Sequence, residues 1–418
     1  MAMPEQAPVG SEGPPPVDEP APLYPVSDPF GYERALTAAE RGKLHRLRSY
    51  LDAEVRPLLA EHWEQARCPV HVRTDLADLR LHDDPALLAG GSAPRPLYLG
   101  FRSFELARTD LSVAMLYSGQ VGMFRTLVLE GGSPEQIERW DDDIVGFRMT
   151  GAFALTEPGH GSDVARGMET TAERRGTSWR LDGRKRWIGN ATVSGHVVVV
   201  ARNASDGGVA AFVVPTSAPG LSMRTIERKT SLRMVHNADI TLAGVHVDDT
   251  LRLPRITTFA DVNRAFGTLR ADVVWLAAGL QAGAYEAALR YAGEREQFGR
   301  PIAGFQLVQD KLVRMLGNVV ASLGVAVRLS EVVDEDPAAT STGSASSAAS
   351  LAKLWTADRL RETVALARET VGGEGITLDT DVSRFFADAE ALYTYEGTRE
   401  VNTLIVGRAI TGLSAFTR

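Results

Sequence analysis

The sequence predicts an α+β chain in three successive blocks, helical, then β, then helical again. Three observations predict it. Leu44, Leu47, Leu51, Val55, Leu58 and Leu59 recur at three- and four-residue spacing within "LTAAERGKLHRLRSYLDAEVRPLLAEHWEQ", the signature of an amphipathic helix. Between about 151 and 255 the texture changes to short apolar runs, "HVVVVAR", "VAAFVVP" and "ADITLAGVHV", separated by glycine, proline and polar clusters, which read as strands. From 261 onward long helical patterns return in "VVWLAAGLQAGAYEAALRYAGERE", "FQLVQDKLVRMLGNVVASLGVAVRLSEVV" and "LAKLWTADRLRETVALARETV".

Residues 1–33 precede the first block. Their stretch "EGPPPVDEPAPLYPVSDPF" lacks donors at each proline and is barred from helix, so it reads as a disordered or draped arm without chemistry. Helices extend over 34–150, with a loop-like break at "HDDPALLAGGSAPRP". The β block spans 151–258 and the second helical block 259–418, interrupted by the low-complexity "DEDPAATSTGSASSAAS", read as a mobile surface connection between two helices. No repeat of fixed period is present.

A chain of 418 residues holds two or three packed domains. Its formal charge of −8 argues against a nucleic-acid partner. Cys68 is the only cysteine, so an intrachain disulfide, a cysteine zinc site and an iron–sulfur cluster are all excluded. No basic region followed by an apolar core opens the chain, and no 18 apolar residues run together. No membrane insertion is expected, and the cytoplasm is the expected location.

Five short stretches carry candidate chemistry. "GAFALTEPGHGSD" (151–163) places glycines and hydroxyls where backbone N–H groups can meet a ligand's polar edge; a polar turn explains it equally. His160 there has no second ligand at metal spacing. In "DGRKRWIGNAT" (182–192) Trp187 is either core or a stacking platform beside Gly189. In "YAGEREQFGRPIAGFQLVQDKL" (291–312) Arg295, Gln297 and Phe298 end one helix and Pro301 helps to start the next; the Arg295 fork suits a diphosphate or simply caps a helix. "GGEG" (372–375) is a glycine cap. "ALYTYEGTRE" (391–400) sets the carboxylate of Glu396 between an aromatic and Gly397, either as a reactive group or as a turn with Thr398 as N-cap.

Taken together and in this order, "LTEPGHGSD", "RKRWIGNA", "EREQFGRPIAGFQLVQ", "VGGEGI" and "YEGTRE" resemble the acyl-CoA dehydrogenase and oxidase flavoprotein family from about residue 35 onward. The C-terminal stretch is most similar to the glutaryl-CoA dehydrogenase and short-chain acyl-CoA oxidase branch. The resemblance implies a middle β-barrel or sandwich domain, a C-terminal four-helix bundle, bound FAD, and α,β-dehydrogenation of a short acyl-CoA or acyl-carrier thioester. That chemistry needs a base for the α-proton, a donor for the enolate oxygen and an acceptor for the β-hydride.

By resemblance Glu396 is the base, and its N–H holds the thioester oxygen. Leu155, Thr156 and Ser162 look like the loop over the flavin edge, and Trp187 like the residue beside the ring. Arg295, Gln297, Phe298 and Gln306 look like the diphosphate and adenine contacts, and with Glu369, Gly372 and Gly373 they imply a site shared between subunits of a homotetramer. Thr398 and Glu400 follow where the family again touches the dinucleotide. Ser162, Arg270, Tyr395 and Gly397 fall on positions near the thioester and pantetheine. Electrons are expected to leave to an electron-transfer flavoprotein, with O2 as the alternative acceptor of an oxidase or monooxygenase. A nucleic-acid-associated flavoprotein without activity is opposed by the acidic charge and by Glu396.

Three departures from the family pattern stand out. "WIGN" replaces "WITN", so Gly189 brings no hydroxyl to the flavin. The region 81–110 lacks the longer glycine-rich stretch that helps to line the acyl pocket. In "ELARTDLSVAMLYS" Ala114 falls where glutaryl-CoA dehydrogenases carry the arginine for the distal carboxylate, and Ser118 falls on a family serine. A neutral acyl chain and no decarboxylation are therefore expected, with Arg102 or Arg108 as the alternative cations.

Overall fold

A computed structural model describes residues 21–415 apart from 89, 90, 92 and 336–343. The N-terminal domain holds α1 (Ala38–Tyr50), α2 (Leu59–Glu64), α3 (Val72–Asp78), α4 (Pro85–Leu88), α5 (Pro96–Thr109), α6 (Leu111–Tyr117), α7 (Arg125–Gly131) and α8 (Pro134–Val145), with a π-helical turn Ser118–Phe124 between α6 and α7. Local chemistry sets the boundaries. Thr37 and Glu40 form a reciprocal capping box at α1, Ser133 and Gln136 do so at α8, and the Asp110 carboxylate accepts the N–H groups of Ser112 and Val113 to start α6.

The middle domain is one mixed seven-stranded sheet. Its strands are β1 (Gly151–Ala154), β2 (Thr171–Arg175), β3 (Ser178–Ile188), β4 (His196–Asn203), β5 (Val209–Pro215), β6 (Leu221–Thr225) and β7 (Ala238–Asp248), with the one-turn helix α9 (Val164–Gly167) after β1. The order is β1-β4-β2-β3-β7-β6, with β5 on the other edge of β4. The unbroken apolar run in β4 has a physical reason: Val197 and Val199 face the sheet's own core, while Val198 and Val200 meet Leu127, Val128 and Trp140 of the N-terminal helices. A strand covered on both faces cannot alternate.

The C-terminal domain comprises α10 (Phe259–Glu294), α11 (Gln306–Glu335), α12 (Ser344–Thr370), α13 (Val382–Thr394) and α14 (Arg399–Thr411). α10 starts from a capping box of Thr258 and Asp261 and runs against α5. Close approach depends on Gly279 and Gly283, where a Cβ would come within 2.3 Å of the Phe104 and Arg108 carbonyl oxygens. α11 is long and apolar enough to cross a membrane by length and composition, yet half of that stretch is buried within the protein, through Met315, Val319 and Leu323.

The structure differs from the sequence reading at three places. Residues 23–33 are docked: Leu23 and Tyr24 are buried, Glu33 accepts both of their N–H groups, the Tyr24 ring stacks on Phe101, and Ser27 donates to Glu286 on α10 at 2.7 Å. Proline excludes helix there but does not prevent apolar side chains from packing; residues 1–20 lie outside the described residues. The low-complexity connection is shorter than its composition implies, because α12 already begins at Ser344 and buries Ala349 and Ser350; 336–343 lie outside the described residues. Pro301 does not start α11. A two-stranded hairpin, β8 (Glu296–Gln297) and β9 (Arg300–Pro301), separates α10 from it, turning at Phe298 and Gly299 with φ of 53° and 79°.

Candidate active site

The turn between α13 and α14 presents Glu396. α13 stops at Thr394, and the Thr398 hydroxyl accepts the Val401 N–H at 3.4 Å to begin α14, so the N-cap role is real and leaves Glu396 in the turn itself. Glu396 has φ 55° and Gly397 φ 88°, left-handed backbone that costs a non-glycine residue on the order of 1–3 kcal/mol. Two donors hold it. The Gly397 carbonyl accepts from Asn402 Nδ2 at 2.8 Å and from Lys353 Nζ at 2.7 Å. Glu396 Oε2 and the Tyr395 hydroxyl are closed off from solvent without a hydrogen-bond partner, and no backbone carbonyl among the described residues accepts the Glu396 N–H. Polar atoms left in this condition are costly unless a ligand meets them.

Electrostatics make this carboxylate unusual. Burial pushes the Glu396 pKa up to about 7, against the attraction of Arg270 and Lys353 and with some help from Asp272. Arg270 is lowered by burial while Glu396 raises it, and burial brings Lys353 down to about 8. Tyr395 is raised, first by burial and then by Glu396. A group that titrates near neutrality inside a closed site suits a general base.

A second cluster forms where β1 and β3 end. Lys185, fully buried on β3, donates to the Leu155 carbonyl at 2.9 Å and to Glu157 at 2.8 Å, and Glu157 accepts the Glu169 and Thr170 N–H groups. The Arg186 N–H donates to the Thr156 carbonyl at 2.8 Å, which sets Leu155 and Thr156 beside Trp187. The indole is half exposed and sits on left-handed backbone, φ 65°, followed by Asn190 at φ 57°. Asn190 Nδ2 reaches the Met115 carbonyl of α6, joining this cluster to the helix that carries Ala114. Ser162 lies exposed in the same loop. His160 pairs with Asp163 at 2.8 Å and packs over Gly167.

The remaining candidates stand apart. Arg295, Gln297, Phe298 and Gln306 are all exposed at the hairpin that follows α10. Arg295 has no carboxylate partner among the described residues, and Phe298 is 93% exposed. Arg270 and Arg295 belong to one helix axis about 25 residues long between them, roughly 37 Å at 1.5 Å per residue. Glu369 pairs with Lys311 at 3.1 Å, and Gly372 and Gly373 border open space; Glu400 is exposed on the first turn of α14. The chain thus offers a half-exposed flat indole beside a glycine-rich loop and, at the hairpin after α10, a guanidinium without a carboxylate partner among the described residues, near an exposed ring. These are the groups that the ring and the diphosphate of FAD require.

Sequence reasoning missed Lys353 and Lys185, both buried. Each had a signal: only five lysines occur, and "LAKLW" sets one inside an apolar run. It also missed Asp388 on α13, whose carboxylate accepts the Leu232 N–H at 2.6 Å and which burial and Asp110 together push up to about 7. That contact ties the helix leading to Glu396 to the middle domain.

Family models described as acyl-CoA dehydrogenase N-terminal, middle and C-terminal domains match residues 37–146, 152–245 and 259–411. Cyclohex-1-ene-1-carbonyl-CoA dehydrogenase of Geobacter metallireducens is 31% identical over 384 residues, covering 90% of this chain and 98% of that protein. The CarC subunit of the caffeyl-CoA reductase–Etf complex of Acetobacterium woodii is 31% identical over 72% of this chain and 79% of its own length. A solved glutaryl-CoA dehydrogenase from Mycobacterium smegmatis in complex with FADH2 superposes with a TM-score of 0.86 at 29% identity, covering 94% of this chain and all of that one. With all three domains matched, the chain belongs to the acyl-CoA dehydrogenase family, oxidoreductases that act on CH–CH groups.

Proposed function

We propose that the protein is an FAD-dependent dehydrogenase of a short, neutral acyl thioester, with Glu396 as the base that takes the α-proton and an electron-transfer flavoprotein as the electron acceptor. The observation that carries this reading is the enclosed, unpartnered Glu396 Oε2 on a strained turn whose N–H meets no backbone carbonyl among the described residues. Bound FAD supplies the acceptor for the hydride leaving Cβ. The chain does the rest. Leu155, Thr156, Ser162 and Trp187 hold the flavin end, and the Glu396 N–H donates to the thioester oxygen where negative charge develops. Tyr395, Arg270 and Gly397 close the site around the substrate, excluding water and keeping the carboxylate against Cα.

Because the base must be ionised, the rate of flavin reduction by free enzyme and substrate falls tenfold per pH unit below about 7. A stopped-flow pH series measures it, and a limb near pH 4.5 contradicts the desolvated base.

In this reading one chain supplies only part of the contacts to one FAD. Arg295, Gln297, Phe298, Gln306, Glu369, Gly372 and Gly373 therefore serve the site of a second copy, with Thr398 and Glu400 completing the dinucleotide contacts. Exposed Leu307, Val313, Ile376, Ile410 and Leu413 supply apolar area for a homo-oligomer, a tetramer in this reading.

Substrate choice follows from α6. Ala114 is fully buried and offers only a methyl group. Arg108 is committed to Glu105 at 2.7 Å and to Glu286, and Arg102 lies over the Tyr117 ring at 5.0 Å, 3.5 Å from His82 Nδ1. A distal carboxylate left unpaired costs several kcal/mol, so butyryl-CoA reduces the flavin about 100-fold faster than glutaryl-CoA, without CO2 release. Faster turnover of glutaryl-CoA contradicts this and makes Arg102 the carboxylate partner.

Gly189 favours a second reading in which O2 takes the electrons. A Cβ there would meet nothing closer than Val235 at 3.8 Å, so the missing hydroxyl is a chemical difference with no steric cause. Anaerobic reduction by butyryl-CoA followed by reoxidation with electron-transfer flavoprotein or with air tests the proposal: fast reoxidation by the flavoprotein supports it, and reoxidation by air alone selects the oxidase.

A further inference from the structure

Lys353 on α12 is 1% exposed, and no carboxylate lies within ion-pair distance of it among the described residues. Its ammonium donates instead to two neutral acceptors, the Tyr393 carbonyl at 3.1 Å and the Gly397 carbonyl at 2.7 Å. Those carbonyls bracket Glu396, one in the last turn of α13 and the other just beyond the left-handed residue. Burying an ammonium is expensive, and carbonyl dipoles answer its hydrogen-bonding need but not its charge.

We propose that Lys353 is the positioning residue of the catalytic base: its two carbonyl bonds hold the left-handed turn that carries Glu396, and its ammonium adds a positive charge to the closed site. The inference rests on the reading of Glu396 as the base.

The charges facing this site come from four elements. α10 brings Arg270 and Asp272, α12 brings Lys353, the turn brings Tyr395, and α14 brings Glu400. Asp272, which accepts from Ser103 of α5 at 2.5 Å, raises the base; Arg270 and Lys353 lower it. Without Lys353, Arg270 alone opposes burial and Asp272. The sign follows: the ionised form loses support, the pKa of Glu396 rises, and less base is available at neutral pH. Burial brings Lys353 itself down to about 8, against the attraction of Glu396.

Three variants separate holding from charge. Lys353→Met removes both, Lys353→Gln keeps an N–H donor without charge, and Lys353→Arg keeps the charge. FAD content, thermal midpoint and the pH dependence of anaerobic flavin reduction by butyryl-CoA are measured for each. In the Met and Gln variants the acidic limb moves up by about one pH unit or more, with the rate at pH 7 down about fivefold for the first unit and about tenfold for each further one. The Arg variant keeps its limb within about half a unit of wild type. Equal limbs in the Gln and Arg variants, or an equal rate loss at every pH, overturn the proposal, and that pair decides it even where the Met variant folds poorly or loses FAD. Glu396→Gln is the separate control. If it still reduces flavin, the base assignment fails; if it is inactive while the limbs coincide, only the role of Lys353 fails.

Discussion

Glu396→Gln retains FAD and binds acyl-CoA, yet reduces the flavin about 10⁴-fold more slowly than wild type, because the amide cannot accept the α-proton. The substitution is nearly isosteric. The turn is held by Lys353 and Asn402 on the Gly397 carbonyl, not by the Glu396 side chain, so the fold and the flavin survive. Anaerobic stopped-flow bleaching with butyryl-CoA reads the loss directly. Bleaching within tenfold of wild type sinks the assignment.

Arg295→Ala releases FAD and loosens the oligomer in one step. The guanidinium is exposed at the end of α10 and unpaired within its own chain among the described residues, so its partner is the diphosphate of a neighbouring copy in this account. Losing charge-assisted hydrogen bonds of roughly 1.5–3 kcal/mol weakens FAD binding by about 10- to 100-fold. With FAD bridging subunits, as proposed, the assembly weakens with it. Flavin absorbance after gel filtration, together with the elution volume, measures both effects. A variant that keeps full flavin as a stable monomer contradicts the shared site.

Much of the fold was legible because period and punctuation agree. The three- and four-residue spacing of Leu44, Leu47, Leu51 and Val55 reads as a helix, and "HVVVVAR" reads as a strand. Glu396 was legible only through the resemblance of "YEGTRE" and its companion motifs to a known family, since the local pattern of a carboxylate before a glycine reads equally as a capped turn. Lys353 was not, since its acceptors are carbonyls about 40 residues downstream that no side-chain pattern reveals. The docking of Tyr24 was not legible for a related reason: proline content speaks about hydrogen-bond donors and leaves a disordered or draped arm equally open, and the burial of Tyr24 against Phe101 and Phe104 depends on tertiary neighbours. The hairpin at 296–301 was hidden because Phe298, a non-glycine residue, adopts the left-handed backbone that normally marks glycine.

Proton removal is the step assigned to Glu396 in this account. The measurement is solvent deuterium uptake: reduced enzyme and crotonyl-CoA are mixed anaerobically in D2O, and the butyryl-CoA formed is analysed by mass spectrometry and NMR. Wild type places one deuterium at Cα, delivered by Glu396 in the reverse direction, while Glu396→Gln forms no product on the same timescale. Product formed by the Gln variant at the wild-type rate, with deuterium at Cα, would show that another group handles the α-proton and would contradict the account at its centre.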